Sequence, residues 1–283
     1  MLGLMMDEPL LISSVIEHAA KFHGGVEVVY REVDGSLQRY TYRDVRHRSM
    51  KLAQALRRHG VELGDRIGTM AWNGHRHFEL YFGISGIGAV MHTVNPRLFS
   101  DQITYIVNHA RDRMLFFDLS FMDMIEKLAP ELKTVETYVA MAPRDAIPRT
   151  TLPVLSYEEF IEAESGDFKW PSFDERTASS LCYTSGTTGN PRGALYSHRS
   201  TILHAITACT VDGHGVSGSD CILPVVPMFH GNAWGIPYSA TLSGAKLVFA
   251  GQQADGASLV PLFVDEQVTL SLAVPTVWLG LLD

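Results

Sequence analysis

The sequence predicts an α/β fold of doubly wound, mostly parallel sheets with flanking helices. Three observations carry that expectation. Apolar runs of strand length alternate with amphipathic stretches of helix length along most of the chain, the pattern left by parallel strands joined through crossover helices. The 283 residues are 46% hydrophobic and only 19% charged, enough apolar surface for a substantial core. A turn crowded with glycine and hydroxyl residues follows a buried strand and precedes a helix-like run.

Taken in order, residues 12–22 read as a first helix, and residues 26–32 and 37–42 as two strands joined across Asp34-Gly35, a hairpin signal. The next helix has legible ends. Thr41 and Asp44 have capping-box spacing, Val45, Ser49, Leu52, Ala53 and Leu56 fall on one face, and Gly60 is placed to stop it. Residues 63–72 read as a turn and a buried strand, followed by a helix over 74–86 and a strand over 89–93. Ser100 is placed to cap a helix whose Ile103, Ile106, Val107 and Ala110 form a core stripe; residues 114–117 and 135–141 read as the strands after it. Pro143, Pro148, Pro153 and Pro171 mark an irregular stretch, expected to connect two lobes, 1–145 and 172–283. Beyond it, residues 178–183 read as a buried strand, 197–209 as a helix, and 221–226, 245–250 and 268–274 as further strands.

The formal net charge is −8, with the acids dispersed, which speaks against a general nucleic-acid binder while leaving room for a local anion cradle. Cys182, Cys209 and Cys221 form no CxxC pair, so neither a disulfide framework nor a cysteine zinc site is indicated, and a reducing cytoplasm fits. The first eight residues lack the basic start and long apolar run of a secretory signal. The most apolar stretch, residues 81–94, is interrupted by Gly83, Gly86 and Gly88 and falls short of the ~20 residues that span a bilayer, so a soluble protein is expected.

Candidate chemistry concentrates in Tyr183-Thr-Ser-Gly-Thr-Thr-Gly-Asn-Pro-Arg-Gly193. On composition alone such a cluster is ordinarily a flexible loop. It also suits phosphate: glycines allow positive φ and close approach of N–H groups to an oxyanion, hydroxyls add donors, and Arg192 supplies fixed charge. Other motifs carry less. Gly213-His-Gly-Val-Ser-Gly218 satisfies GxGxxG but follows a helix-like run instead of a strand, so a surface turn is expected. The 183–193 loop lacks Walker A spacing, and neither a GxSxG elbow nor an HExxH helix occurs. His75 and His77 have no adjacent third ligand and read as a solvated turn. His198 reads as a helix-start residue satisfying backbone groups, and His230, in Pro227-Met-Phe-His230, as either a core or capping histidine or a site residue.

The loop resembles the signature of the adenylate-forming superfamily of acyl-CoA synthetases, firefly luciferase and peptide-synthetase adenylation domains, which runs Thr-Ser-Gly-Thr-Thr-Gly-x-Pro-Lys-Gly. Only Arg192 departs from it, preserving charge but exchanging a compact ammonium for a planar fork. With Asn95-Pro-Arg-Leu98, Tyr196-Ser-His-Arg199, Leu223-Pro-Val-Val-Pro-Met-Phe-His230, Asn232-Ala-Trp234 and Val274-Pro-Thr-Val-Trp278, nearly the whole chain resembles the medium- and long-chain fatty-acyl-CoA synthetases. That resemblance implies Mg·ATP-dependent activation of a fatty acid to an acyl-adenylate, then transfer of the acyl group to coenzyme A. It places Thr184, Ser185, Gly186, Thr187, Thr188, Gly189, Arg192 and Gly193 around the phosphates, with the Thr184 hydroxyl helping to hold Mg²⁺. It also places catalytic His230 and Gly231 by the nucleotide and carboxylate, and Trp234 beside the nucleotide and the acyl tunnel. It further implies segments after Trp278: a Glu for Mg²⁺, an Asp for ribose, a hinge and a C-terminal domain with a catalytic Lys. The expectation is therefore an incomplete N-terminal domain of such an enzyme, inactive or nearly so alone; the resemblance also implies a homodimer. The alternatives are a non-catalytic binding or dimerisation module with the same fold and a ligase for aryl acids.

Overall fold

A computed structural model describes Met1, residues 3–184 and residues 190–281, and among these residues the strands form two sheets. The larger comprises β3 (Arg66–Met70), β4 (Val90–Thr93), β5 (Asp112–Phe117), β6 (Thr137–Ala140), β7 (Val154–Ser156), β8 (Ala178–Thr184) and β9 (Arg192–Ser197), in the order β7-β6-β5-β3-β4-β8-β9. All neighbours are parallel except the edge pair β8–β9. The smaller comprises β1 (Glu27–Arg31), β2 (Leu37–Thr41), β10 (Cys221–Pro224), β11 (Lys246–Phe249) and β12 (Leu270–Leu272), in the order β12-β10-β11-β1-β2. Here only the hairpin β1–β2 is antiparallel, with Gly35 at φ 87 in its turn. The sheets cut across the expected lobes, because β1 and β2 lie with β10–β12 instead of with the strands that follow them.

The period-two pattern of the strands sorts side chains into three cores. Met114 and Phe116 of β5 face a central core together with Val28, Ile222, Leu247 and Phe249 of the smaller sheet. Leu115 and Phe117 face an outer core with α4 (Ser100–Ala110) and α5 (Met122–Leu128); Val29, Leu223 and Val248 face a third with α9 (Gly256–Asp265). Between the sheets lie α1 (Ile12–Phe22), α2 (Tyr42–Arg58), α3 (His75–Gly86), α6 (Tyr157–Glu162), α7 (His198–Ala208) and α8 (Ile236–Ser243); α10 (Pro275–Leu279) is the last described helix. α2 and α3 approach closely at Gly83, where a Cβ would stand 2.4 Å from Leu52 Cδ2.

Local signals explain most boundaries. At the start of α2, Thr41 Oγ1 accepts from Asp44 N at 3.4 Å and Asp44 Oδ2 accepts from Thr41 N at 2.8 Å, the reciprocal bonds of a capping box. Two expectations are corrected. Ser100 is the first helical residue, and its neighbour Phe99 occupies the cap position, with the Gln102 carboxamide accepting from Phe99 N at 3.2 Å. The proline-marked stretch contains β7 and α6, locked into the sheet by pairing with β6, because its prolines fall outside those two short elements.

Candidate active site

β8 runs buried through Tyr183 and emerges at Thr184, which is exposed. Residues 185–189, holding Ser185, Gly186, Thr187, Thr188 and Gly189, lie outside the described residues. The chain returns as β9, with Thr184 opposite Arg192 and Tyr183 opposite Gly193. The sequence suggested a strand-to-helix turn; the structure has instead a strand-to-strand connection, because residues 192–197 extend β9 against β8 before α7 begins. In the chain, β9 therefore separates residues 185–189 from the start of α7. Thr184 Oγ1 donates to Arg192 O at 3.5 Å, and the Thr184 and Arg192 side chains stand together at the open edge. Gly193 has a packing reason of its own: a Cβ there would lie 2.9 Å from Leu181 Cδ1 and 3.3 Å from Tyr183 Cζ. Burial pushes the Tyr183 phenol up to about 12, and its hydroxyl lies 2.6 Å from His109 Nδ1.

His230 follows β10 through a segment held from behind by Asn73. The Asn73 carboxamide donates to Pro224 O at 2.8 Å and Val226 O at 3.0 Å, and its oxygen accepts from Met228 N at 2.7 Å. Tyr81 adds a hydroxyl donated to Met228 O at 2.6 Å, and the Arg97 guanidinium sits 5.6 Å from the centre of the Phe229 ring. With its neighbours so fixed, His230 itself is exposed.

The next five residues, Gly231–Gly235, all have positive φ: 54, 50, 49, 54 and 75. Three of them, Asn232, Ala233 and Trp234, are not glycine, and a left-handed turn of such residues costs about 1–2 kcal/mol apiece. Asn232 anchors it: buried, it donates from Nδ2 to Ser180 Oγ at 2.9 Å and accepts at Oδ1 from the Cys182 thiol at 3.3 Å. Both partners lie on β8, so the turn carrying His230, Gly231 and Trp234 is bonded to the strand that ends in Thr184. Trp234 is 43% exposed, its indole displayed instead of packed.

The sequence motifs assign no role to Asn232, and Asn73, in Trp72-Asn-Gly74, belongs to none of them. His75 and His77, expected in a solvated turn, are buried in the first turn of α3; His77 lies 3.1 Å from Trp72 O and 3.2 Å from Thr69 Oγ1. His198 satisfies a backbone group as anticipated, but a distant one, with Nδ1 accepting from Ile12 N at 3.1 Å. The 213–218 glycines form an exposed turn after α7.

What the arrangement offers a nucleotide is an exposed cation and hydroxyl at the carboxyl end of β8. For a metal it offers the Thr184 oxygen, and no cluster of three or more His, Cys, Asp or Glu is found among the described residues. No helix among them is long and apolar enough to cross a membrane.

The paired sheets with this hairpin and turn define the N-terminal domain fold of adenylate-forming acyl-CoA ligases. A long-chain-fatty-acid-CoA ligase of Archaeoglobus fulgidus superposes with a TM-score of 0.84 at 20% identity, over 98% of this chain and 54% of that one. The chain belongs to the AMP-binding enzyme family, whose model matches residues 16–283. It is 50% identical over 283 residues to the 3-methylmercaptopropionyl-CoA ligase of Ruegeria lacuscaerulensis, covering 100% of this chain and 52% of that ligase. Identity to the medium-chain-fatty-acid–CoA ligase of Ectopseudomonas oleovorans is likewise 50% over 283 residues, again 100% of this chain and 52% of the relative. The chain spans about half the length of the curated relatives it matches.

Proposed function

We propose that this chain supplies the phosphate-gripping and acid-presenting half of an ATP-dependent acid–CoA ligase, with a fatty acid as substrate and Mg²⁺ accompanying ATP. One observation carries the reading: Asn232 bonds the His230 turn to β8, so the turn offered to a carboxylate is tied to the strand whose end, Thr184, is offered to a triphosphate. A carboxylate resists nucleophilic attack because it is already anionic; joining it to AMP provides a leaving group, provided that carboxylate oxygen and α-phosphorus are held in line and charge on the outer phosphates is offset. Thr184 and Arg192 perform the second task, together with Ser185, Gly186, Thr187, Thr188 and Gly189, while Gly193 fixes the return strand. His230 and Gly231 border the reacting carboxylate and nucleotide, and Trp234 borders the acyl chain. Coenzyme A then takes up the activated acyl group.

A second reading concerns the acid alone. Identity to the methylmercaptopropionyl-CoA ligase equals that to the medium-chain ligase, which favours a short thioether acid as readily as a fatty one. Calorimetric titration of pyrophosphate into the 283-residue chain tests the shared core: wild type binds, and Arg192→Met weakens binding about tenfold, the worth of one charge-assisted contact. Equal affinity in the two would refute the grip. Pyrophosphate release with octanoate against 3-methylmercaptopropionate, by a ligase of the relatives' full length carrying this chain as its first half, separates the two acids.

A further inference from the structure

Away from Thr184, a cavity of about 430 Å³ opens between the two sheets, at the carboxyl ends of β3, β5 and β6 on one side and β1 and β11 on the other. That volume lies within the usual range of small-molecule sites. Its position is a topological switch point. β3 is followed by α3, which packs into the central core, and its neighbour β5 by α5, which packs into the outer core. The two connections part in opposite directions, leaving a crevice of the kind in which open α/β sheets bind ligands.

The N-terminus of α3 opens into this cavity without a cap. Gly74 at the cap position has no side chain to offer, the first turn contains no acid, and the amides of His75, Arg76 and His77 have no acceptor among the described residues. A second, independent group points the same way. The His75 side chain lines the cavity, is only 6% exposed, and makes no hydrogen bond among the described residues; a Glu32 oxygen stands 3.8 Å from its Nε2. Arg31, also in the wall, donates Nη1 to Gln253 at 2.6 Å and Nη2 to Ser258 O at 3.2 Å and so holds a fixed positive charge beside the cavity.

The carboxylates in the wall are already engaged. Glu32 takes Arg76 at 3.2 Å and 3.4 Å, Asp118 takes Trp72 N at 2.6 Å, and Asp255 caps α9 through Ser258 N at 3.0 Å. We propose that this cavity is an oxyanion site, in which a small molecule bearing a phosphate or carboxylate group is received by the free α3 amides and His75, beside the fixed charge of Arg31. Burial, then the guanidinium charges of Arg76 and Arg48, hold the His75 imidazole well below its ordinary range. A bound anion supplies the missing acceptor and complements the positive end of the helix. The site lies behind the proposed active site, since Asn73 in the same wall holds Met228, and Trp72 packs its ring 5.8 Å from that of Phe229.

Gly74→Asp provides the test, because the residue is in extended backbone at φ −156 and a Cβ there meets nothing within 4 Å. The new carboxylate caps the same amides from within, leaving the fold as stable as before or slightly more so. Inorganic phosphate and, in a parallel arm, octanoate are titrated into the full chain while the backbone amide resonances of residues 75–77 are followed. Saturable shifts are expected in wild type for the preferred oxyanion, with affinity at least about tenfold weaker in Gly74→Asp at unchanged melting temperature. Should Gly74→Asp prove misfolded, His75→Phe, which keeps a ring stacked on Tyr30 and deletes the imidazole nitrogens, is expected to weaken the same shifts. Resonances that ignore both anions, or variants that bind as wild type does, would overturn the site. Pyrophosphate binding that depends on Arg192 is untouched by Gly74→Asp, so failure here and failure of the ligase reading are read separately.

Discussion

Replacing Asn232 by alanine and by glycine separates the two things that residue does. Alanine removes the bonds to Ser180 and Cys182, leaving the Ser180 hydroxyl, at 0% exposure, without the amide donor it now has. An unsatisfied buried polar group costs about 1–3 kcal/mol. Alanine also tolerates φ 50 less well than asparagine, whose short polar side chain visits that region readily, which adds about 1 kcal/mol. The sum, roughly 3 kcal/mol, lowers the melting temperature by roughly 5 °C in a chain of this size. Glycine loses the same hydrogen bonds but none of the backbone freedom. In an ordinary right-handed or extended position it would be about 0.5–1 kcal/mol worse than alanine. At a left-handed position the order reverses. Urea and thermal unfolding followed by circular dichroism should therefore rank wild type above Asn232→Gly and Asn232→Gly above Asn232→Ala. An alanine variant at least as stable as the glycine one would refute the left-handed turn.

Two further outcomes follow from buried charge. Arg48 bonds Glu79, which is fully buried, at 2.8 Å and Glu158 at 3.0 Å, so Arg48→Met strands the Glu79 carboxylate and should cost about 3–5 kcal/mol; adding Glu79→Gln should recover part of that in a double-mutant cycle by urea melts. Burial pushes the Asp118 carboxyl up to about 7 from an ordinary 3.8, so the folded chain binds its proton more tightly than the unfolded one. The stability this confers is complete below pH about 4 and is lost as pH rises through about 7. Asp118→Asn should flatten that part of the unfolding midpoint measured between pH 5 and 8, and an unchanged slope would show that Asp118 is not the group responsible.

What could be read from the sequence was written in short-range chemistry. The α2 cap needs only Thr41 and Asp44, three residues apart, and the β1–β2 hairpin only Asp34-Gly35 between alternating strands. The order of strands is a different kind of fact. Nothing near residues 27–41 announces that β1 will lie beside β11, more than 200 residues later, because that pairing is decided by which apolar faces meet in the central core. Likewise the extended run after residue 191 was hidden by its proximity to the α7 start at Ser197, whose capping signal is the stronger local feature.

The two asparagines show where legibility ended. Each acts through a side-chain amide that satisfies groups from another element: Asn73 those of residues 224–228, and Asn232 those of β8. In sequence both look like turn formers, since asparagine is common where φ is positive or a helix begins. Only the fold reveals that their donors and acceptors reach across the chain, because a segment with few backbone partners of its own must borrow them elsewhere. The motif residues mark where chemistry occurs, whereas the residues that hold the motifs in position answer to packing. A substitution at Asn73 or Asn232 should therefore displace His230 without touching it.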